Sequence, residues 1–135
     1  ITYSNYRTST YNYDAEKKVY LRSMNTGANV DLVTGNQYEV KNIIVYGVRY
    51  SNYTFNGYSL YQKIDNVGSG EGYYITNGYA VPIKWSKSSR SAKTKYTYKS
   101  GTVIDGQDVS GQEISVSDGR TWIEVQTTKQ KLTIE

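Results

Sequence analysis

This sequence predicts an all-β fold, mainly antiparallel, built as a sandwich or partly open barrel of short strands joined by tight turns. Three observations carry that reading. Sixteen tyrosines stand against a single Phe, and Tyr, like Thr and Val, suits the half-buried pleated surface of a strand. Turn clusters recur at short intervals: Asn25-Thr26-Gly27, Thr34-Gly35-Asn36, Asn56-Gly57, Asn77-Gly78, Ser100-Gly101, Asp105-Gly106 and Asp118-Gly119. Many short strand-like runs between such clusters argue for a layered β architecture. Helix signals are nearly absent: the charged run from Asp14 to Lys18 is too short to hold a helix alone, and reads as a loop between strands.

Taken in order, strands are expected over 2–6, 11–13, 19–23, 37–50, 59–64, 72–76, 79–85, 95–99, 113–116 and 121–126. Two hairpins have a readable register. Around Asn77-Gly78, Thr76 should pair with Tyr79, Ile75 with Ala80, Tyr74 with Val81 and Tyr73 with Pro82. Both faces of this hairpin are rich in apolar and aromatic groups, so both should be covered. Pro82 lacks an N–H, which predicts a sheet edge or bulge on its far side. Trp85 continues the Tyr79, Val81, Ile83 face and should be the more buried of the two tryptophans. Gly68, Gly70 and Gly72 precede this hairpin and suit a close backbone approach or a sharp turn. Around Asp118-Gly119, a type I′ turn would pair Val116 with Thr121 and Ile114 with Ile123. Its core face would be Ile114, Val116, Ile123 and Val125, with Trp122 and Glu124 on the polar side. Residues 127–135 form a polar end.

The length of 135 residues fits one domain with a real core, spanning 1–135. No stretch approaches the ~18 apolar residues of a membrane span. The chain opens at Ile1 with no charged or apolar leader, as expected of a segment from a longer precursor. There are no cysteines and no histidines, so disulfides, thiolate chemistry and histidine bases or ligands are excluded. Ser-x-x-Lys is absent as well.

Asp105, Asp108, Glu113, Asp118 and Glu124 gather late in the chain, yet no spacing singles out a glycosidase pair. Asp105-Gly106-Gln107-Asp108 lacks a calcium-loop ladder and reads as a turn. The glycines at 68–72 are followed by a strand, not by Lys-Ser/Thr, so they make no phosphate loop. No catalytic residue, metal ligand or cofactor is therefore assigned.

The chain is mildly basic, at +4, and the excess is concentrated. Residues 84–99 hold Lys84, Lys87, Arg90, Lys93, Lys95 and Lys99 with no carboxylate among them. Trp85 and Tyr96 flank the loop. Cations can meet phosphates while a ring stacks on a base or sugar. Wall polymers, membrane headgroups or an acidic protein surface would fit the same patch. A solvated hairpin loop has this composition too. Trp85 and Trp122, with Tyr73, Tyr74 and Tyr79, are the candidate platforms for a sugar face, against the alternative that these rings fill the sheets.

Several motifs, in this order and spacing, resemble one family. They are Gly68-x-Gly70-x-Gly72-Tyr73-Tyr74, Asn77-Gly78, Pro82-Ile83-x-Trp85-Ser86-Lys87, Thr94-Lys95-Tyr96 and Gly119-Arg120-Thr121-Trp122-Ile123. Tyr13-Asp14, Tyr20-x-Arg22 and Val40-x-Asn42-Ile43-Ile44-Val45 join them upstream. The chain thus resembles the C-terminal domain of the YerB-type lipoproteins of Gram-positive bacteria, a family of unknown function. That likeness implies an exported, extracytoplasmic protein at the cell envelope, tethered through a lipidated N-terminal Cys and carrying a separate N-terminal domain outside this segment. It transfers no catalytic residue.

The expectation is a non-catalytic binding or scaffolding module. It would recognise a protein partner or an anionic polymer through Lys87, Arg90, Lys93 and Lys95. Trp85, Tyr96, Trp122 and Arg120 would assist, with help from the 68–79 hairpin. A wall-glycan or nucleic-acid binding domain is the alternative, and a carboxylate-dependent hydrolase a more distant one.

Overall fold

The computed structural model describes residues 2–4 and 7–135, and among these there is no helix. Among the described residues thirteen strands follow one another. The first five are β1 (Thr2–Ser4), β2 (Arg7–Asp14), β3 (Val19–Met24), β4 (Gly27–Ala28) and β5 (Glu39–Val40). A long β6 (Asn42–Phe55) leads into β7 (Tyr58–Asp65), β8 (Gly68–Thr76), β9 (Tyr79–Lys87) and β10 (Lys95–Tyr98). Two short strands, β11 (Val103–Ile104) and β12 (Gln107–Asp108), precede β13 (Thr121–Thr127). The expected strand over 2–6 lies partly outside the described residues, at 5 and 6.

Two main sheets form. One has the order β1-β2-β3-β4, with β5 also on β3. The other has the order β10-β9-β8-β6-β13, with β7 also on β6. Neither closes into a barrel, and the architecture is an all-β, sandwich-like one. The organising element is β6. Its run Asn42-Ile43-Ile44-Val45-Tyr46 is buried throughout, as expected of a central strand covered on both faces. Ile43 packs with Tyr20, Val40, Ile75 and Trp122 between the two sheets. Ile44, Tyr46 and Val48 pack with Tyr74, Ile83, Trp85 and Tyr98 on the opposite face, which Ile104, Val109 and Ile114 help to cover.

The Asn77-Gly78 hairpin has the predicted register, from Thr76↔Tyr79 through Tyr73↔Pro82. Both turn residues have positive φ, 50° and 82°, which a type I′ turn requires. The turn docks on the first sheet, where the Gly78 N–H donates to the Tyr20 hydroxyl at 2.8 Å. Pro82 also behaves as its missing donor dictates. Pairing of β9 with β10 stops at Ile83↔Tyr98, and the Pro82 carbonyl accepts the Lys99 N–H one step beyond. The hairpin is less covered than expected: Tyr73 is exposed on its second face, and Tyr79 is exposed at the turn end of the Trp85 face. The run from Asp14 to Lys18 is the expected loop, its Asp14 carboxylate accepting the Glu16 and Lys17 N–H groups.

The Asp118-Gly119 hairpin does not form. Residues 113–116 make no strand, only a bridge between Glu113 and Thr97. Gly119 alone takes a positive φ, 128°, and the chain crosses to the far edge of the sheet. There β13 pairs in parallel with β6, from Thr121↔Asn42 to Thr127↔Val48. The faces are reversed as a result. Ile123 and Val125 are 50% and 40% exposed, and Val116 is exposed too, while Trp122 is half-buried and Glu124 only 8% exposed. Of the four expected core residues only Ile114 packs against the core. The reversal has a physical cause: facing inward, Glu124 meets the guanidinium of Arg22 at 3.7 Å and accepts the Tyr11 hydroxyl.

Beyond Val48, β6 leaves the body of the sheet with β7 as its partner. Register runs from Arg49↔Asp65 to Tyr53↔Tyr61, and the Asn56-Gly57 turn has positive φ at both positions. This two-stranded arm has no covering layer among the described residues, and Tyr53, Phe55, Tyr58, Tyr61 and Ile64 are exposed.

Candidate functional site

The basic segment is the β9–β10 hairpin with its connecting loop, 88–94. Strand alternation sorts its side chains. Trp85 pairs with Tyr96, and both face the core. Trp85 is 3% exposed, its indole N–H donates to the Gly47 carbonyl at 3.1 Å, and its ring lies 5.2 Å from that of Tyr46. Tyr96 is half-buried, 5.7 Å from Tyr46, and burial together with the Tyr46 hydroxyl pushes its phenol above the ordinary tyrosine range. Neither ring is free to stack on a ligand, which corrects the expectation that they flank the loop as platforms.

Lys87 is tied inward, its ammonium donating to the Ala92 carbonyl within the loop. The Ala92 N–H also reaches Ser89, through its hydroxyl at 3.1 Å and its carbonyl at 3.3 Å. These bonds give the loop a defined shape that holds Arg90 and Lys93 outward. Lys84 and Lys95 project from the strands on the face opposite Trp85, and all four cations are exposed. Lys84 sits across from Glu71 on β8. Lys99 takes that carboxylate at 2.8 Å, and Lys99 with Lys84 holds it below the usual carboxylate range. The surrounding carboxylate therefore offsets Lys99 and leaves the other cations in excess.

Trp122 and Arg120 are not brought to this hairpin. They belong to the β13 edge, and the cations to the β10 edge of the same sheet. Trp122 lies under the Arg22 guanidinium, 4.4 Å from its ring centroid, with Tyr38 edge-on at 6.1 Å. Arg120 is exposed, and its carbonyl accepts the Lys41 and Asn42 N–H groups. Tyr74 is core: its hydroxyl donates to Asn42 Oδ1 at 3.0 Å and accepts the Ser117 N–H at 2.9 Å.

The late carboxylates do not converge. Asp105 sits in the β11–β12 turn, Asp108 accepts both donors of Ser110, and Glu124 is buried between the sheets. Among the described residues no three Asp or Glu side chains are grouped so as to hold a metal ion.

A second concave feature lies where β6 parts from β8. Their pairing ends at Tyr46↔Gly72, and β6 resumes pairing with β7 at Arg49↔Asp65, while β8 continues along β9 to Gly68↔Lys87. The strands diverge around a cleft of about 520 Å³. Its floor is glycine backbone, and the glycines at 70 and 72 are required there. A Cβ on Gly70 would lie 2.6 Å from the Trp85 indole nitrogen, and one on Gly72 would lie 2.3 Å from the Val45 carbonyl oxygen. The close approach read from the 68–72 glycines is thus real. The cleft itself needed the pairing of β6 with two successive partners, which no local pattern announces.

Fold and surface together define an all-β domain with a basic hairpin on one sheet edge, a glycine-floored cleft beside it and an exposed aromatic arm. The chain belongs to the family described as protein of unknown function (DUF3048), C-terminal domain, whose profile matches residues 1–123. Its fold is similar to the crystal structure of the YerB protein from Bacillus subtilis, with a TM-score of 0.66 at 22% identity, covering 88% of this chain and 36% of that one. The chain thus spans about a third of the YerB chain. Among curated proteins, none matches it. No helix among the described residues is long and apolar enough to cross a membrane.

Proposed function

We propose that this domain is a non-catalytic binding module that docks an acidic partner, a protein surface or an anionic polymer, on its β9–β10 hairpin. One observation carries the reading. Lys84 and Lys95 on the strands and Arg90 and Lys93 on a loop shaped by its own hydrogen bonds are exposed together, and Arg90, Lys93 and Lys95 have no ion pair among the described residues. An exposed cation cluster of this kind attracts polyanions with a strength that falls steeply as salt rises. The rings at 85 and 96 take no part, so recognition is by charge. In keeping with the family resemblance of its motifs, we place the domain outside the cytoplasm. There it forms part of a surface lipoprotein anchored through another region of the protein.

Changing Lys84, Arg90, Lys93 and Lys95 to Glu tests this. Lys87 stays, because it holds the loop. The parent domain is expected to be retained on heparin-agarose at about 0.15 M salt and the variant to flow through, with unchanged circular dichroism. Equal behaviour of the two proteins would dismiss the charged hairpin as the docking surface.

A further inference from the structure

We infer that the cleft between β6 and β8 binds one ring of a neutral saccharide, and that the aromatic arm takes the next rings of the same chain. None of the hairpin's exposed cations lines this site, and it does not depend on that reading.

The cleft volume of about 520 Å³ falls within the roughly 300–1,000 Å³ of small-molecule sites. Its charged lining is one cation, Arg49, and two carboxylates, Asp65 and Glu71. Arg49 pairs with Asp65 at 3.5 Å, and Glu71 pairs with Lys99 at 2.8 Å. A ligand here meets no unpaired cation, since Arg49 is taken by Asp65, which favours hydroxyls over phosphates. Ser69 adds one more hydroxyl.

Gln126 supplies the observation that points to a ligand. It faces the same side of the sheet as Gly47, its register partner on β6, and lines the cleft. The residue is 9% exposed, and its Oε1 has no hydrogen-bond partner. A buried polar atom left unpaired costs free energy and calls for a partner. The oxygen is sealed from solvent as it stands, so rotation of the amide is what brings it or the nitrogen to the cleft, where a sugar hydroxyl can pair with either. Ring stacking is available on the same face. Tyr73 stands exposed at the cleft wall. Along β6, alternation carries the Arg49 face out to Tyr53. There Tyr53, Tyr61 and Phe55 form an exposed cluster, with ring centroids 5.6 and 6.0 Å apart. Four residue steps along the strand separate Arg49 from Tyr53, roughly 13 Å, so a ligand reaching both must be an oligomer.

The test is a ¹⁵N–¹H titration of the domain with chitotriose, and with maltotriose as a second neutral probe. Shifts are expected at Ser69–Gly72, Gln126 and the Tyr53–Tyr61 arm with at least one of them. Gln126→Met removes the amide at similar volume. It should weaken binding by about tenfold, the worth of a hydrogen bond of roughly 1.4 kcal/mol, while the unfolding midpoint holds or rises because a buried orphan is gone. Tyr53→Ala should weaken the trisaccharide more than its monosaccharide. A hairpin variant reversed only at Arg90, Lys93 and Lys95, which keeps Lys84 across from the cleft residue Glu71, should bind sugar like the parent, which keeps the two proposals separable. No shifts at millimolar sugar, shifts elsewhere only, or equal binding by Gln126→Met would overturn the site.

Discussion

Arg22→Ala is expected to lower the unfolding free energy by about 3–5 kcal/mol, the cost of breaking a buried ion pair from one side. The guanidinium occupies the seam between the two sheets. Its Nε donates to the Tyr11 hydroxyl at 3.1 Å and its Nη2 to the Ser9 hydroxyl at 3.0 Å. Nη1 donates to Asn29, Nη2 lies 3.7 Å from Glu124, and the plane covers Trp122. The two charged side chains are 11% and 10% exposed, too buried to be treated as a surface pair. Burial and the neighbouring carboxylate push the Tyr11 phenol above its ordinary range, so it stays protonated and donates to Glu124. Without Arg22 the Glu124 carboxylate loses its cation. Arg22→Lys keeps the charge but not the planar fork, and should fall between parent and alanine variant. Urea titration measures all three, against a total stability of about 5–15 kcal/mol for such domains. A loss under about 1 kcal/mol would class the pair with solvated surface bridges and remove it as the clasp between layers.

Gly72→Ala is expected to cost about 3 kcal/mol, the upper end of ordinary overpacking. The added carbon would meet the Val45 oxygen at 2.3 Å and the Tyr46 Cβ at 2.8 Å. Both belong to the partner strand at the centre of the fold, so relief requires β6 and β8 to separate. Gly70→Ala makes an instructive contrast. Its carbon would lie 2.6 Å from the Trp85 nitrogen and 3.3 Å from the Gly47 oxygen, so the indole is displaced first. A red-shifted tryptophan emission should accompany Gly70→Ala, and a lowered urea midpoint should dominate for Gly72→Ala. Parent-like stability of Gly72→Ala would show that the two strands can part without penalty.

What the sequence made legible was local. The hairpin at 76–79 is determined by an Asn-Gly pair whose neighbours are the paired residues themselves. The four exposed cations near the β9–β10 loop were visible as composition, and the burial of Trp85 followed from its alternation with Val81 and Ile83. The orientation of β13 was not visible. Its two faces, Trp122-Glu124-Gln126 and Ile123-Val125, carry opposite hydropathy signals, and the apolar face is the exposed one. Arg22 decides the matter from about a hundred residues away in the chain. The aromatic arm was missed because β6 continues beyond Tyr50 through Ser51 and Asn52, which read locally as a loop. Gln126 was missed because an unpaired amide is a property of surroundings, not of spacing.

The pairing of β13 with β6 also sets an order of events for the folding chain. Seven residue pairs join 121–127 to 42–48, across a separation that makes closure slow by comparison with any hairpin in the domain. Until residue 127 has emerged, Ile43, Ile44 and Val45 present an unpaired strand edge, the kind of edge that recruits other chains. A domain synthesised from its N-terminus holds that edge open through most of its translation. Its final strand then acts as the seal against misassembly.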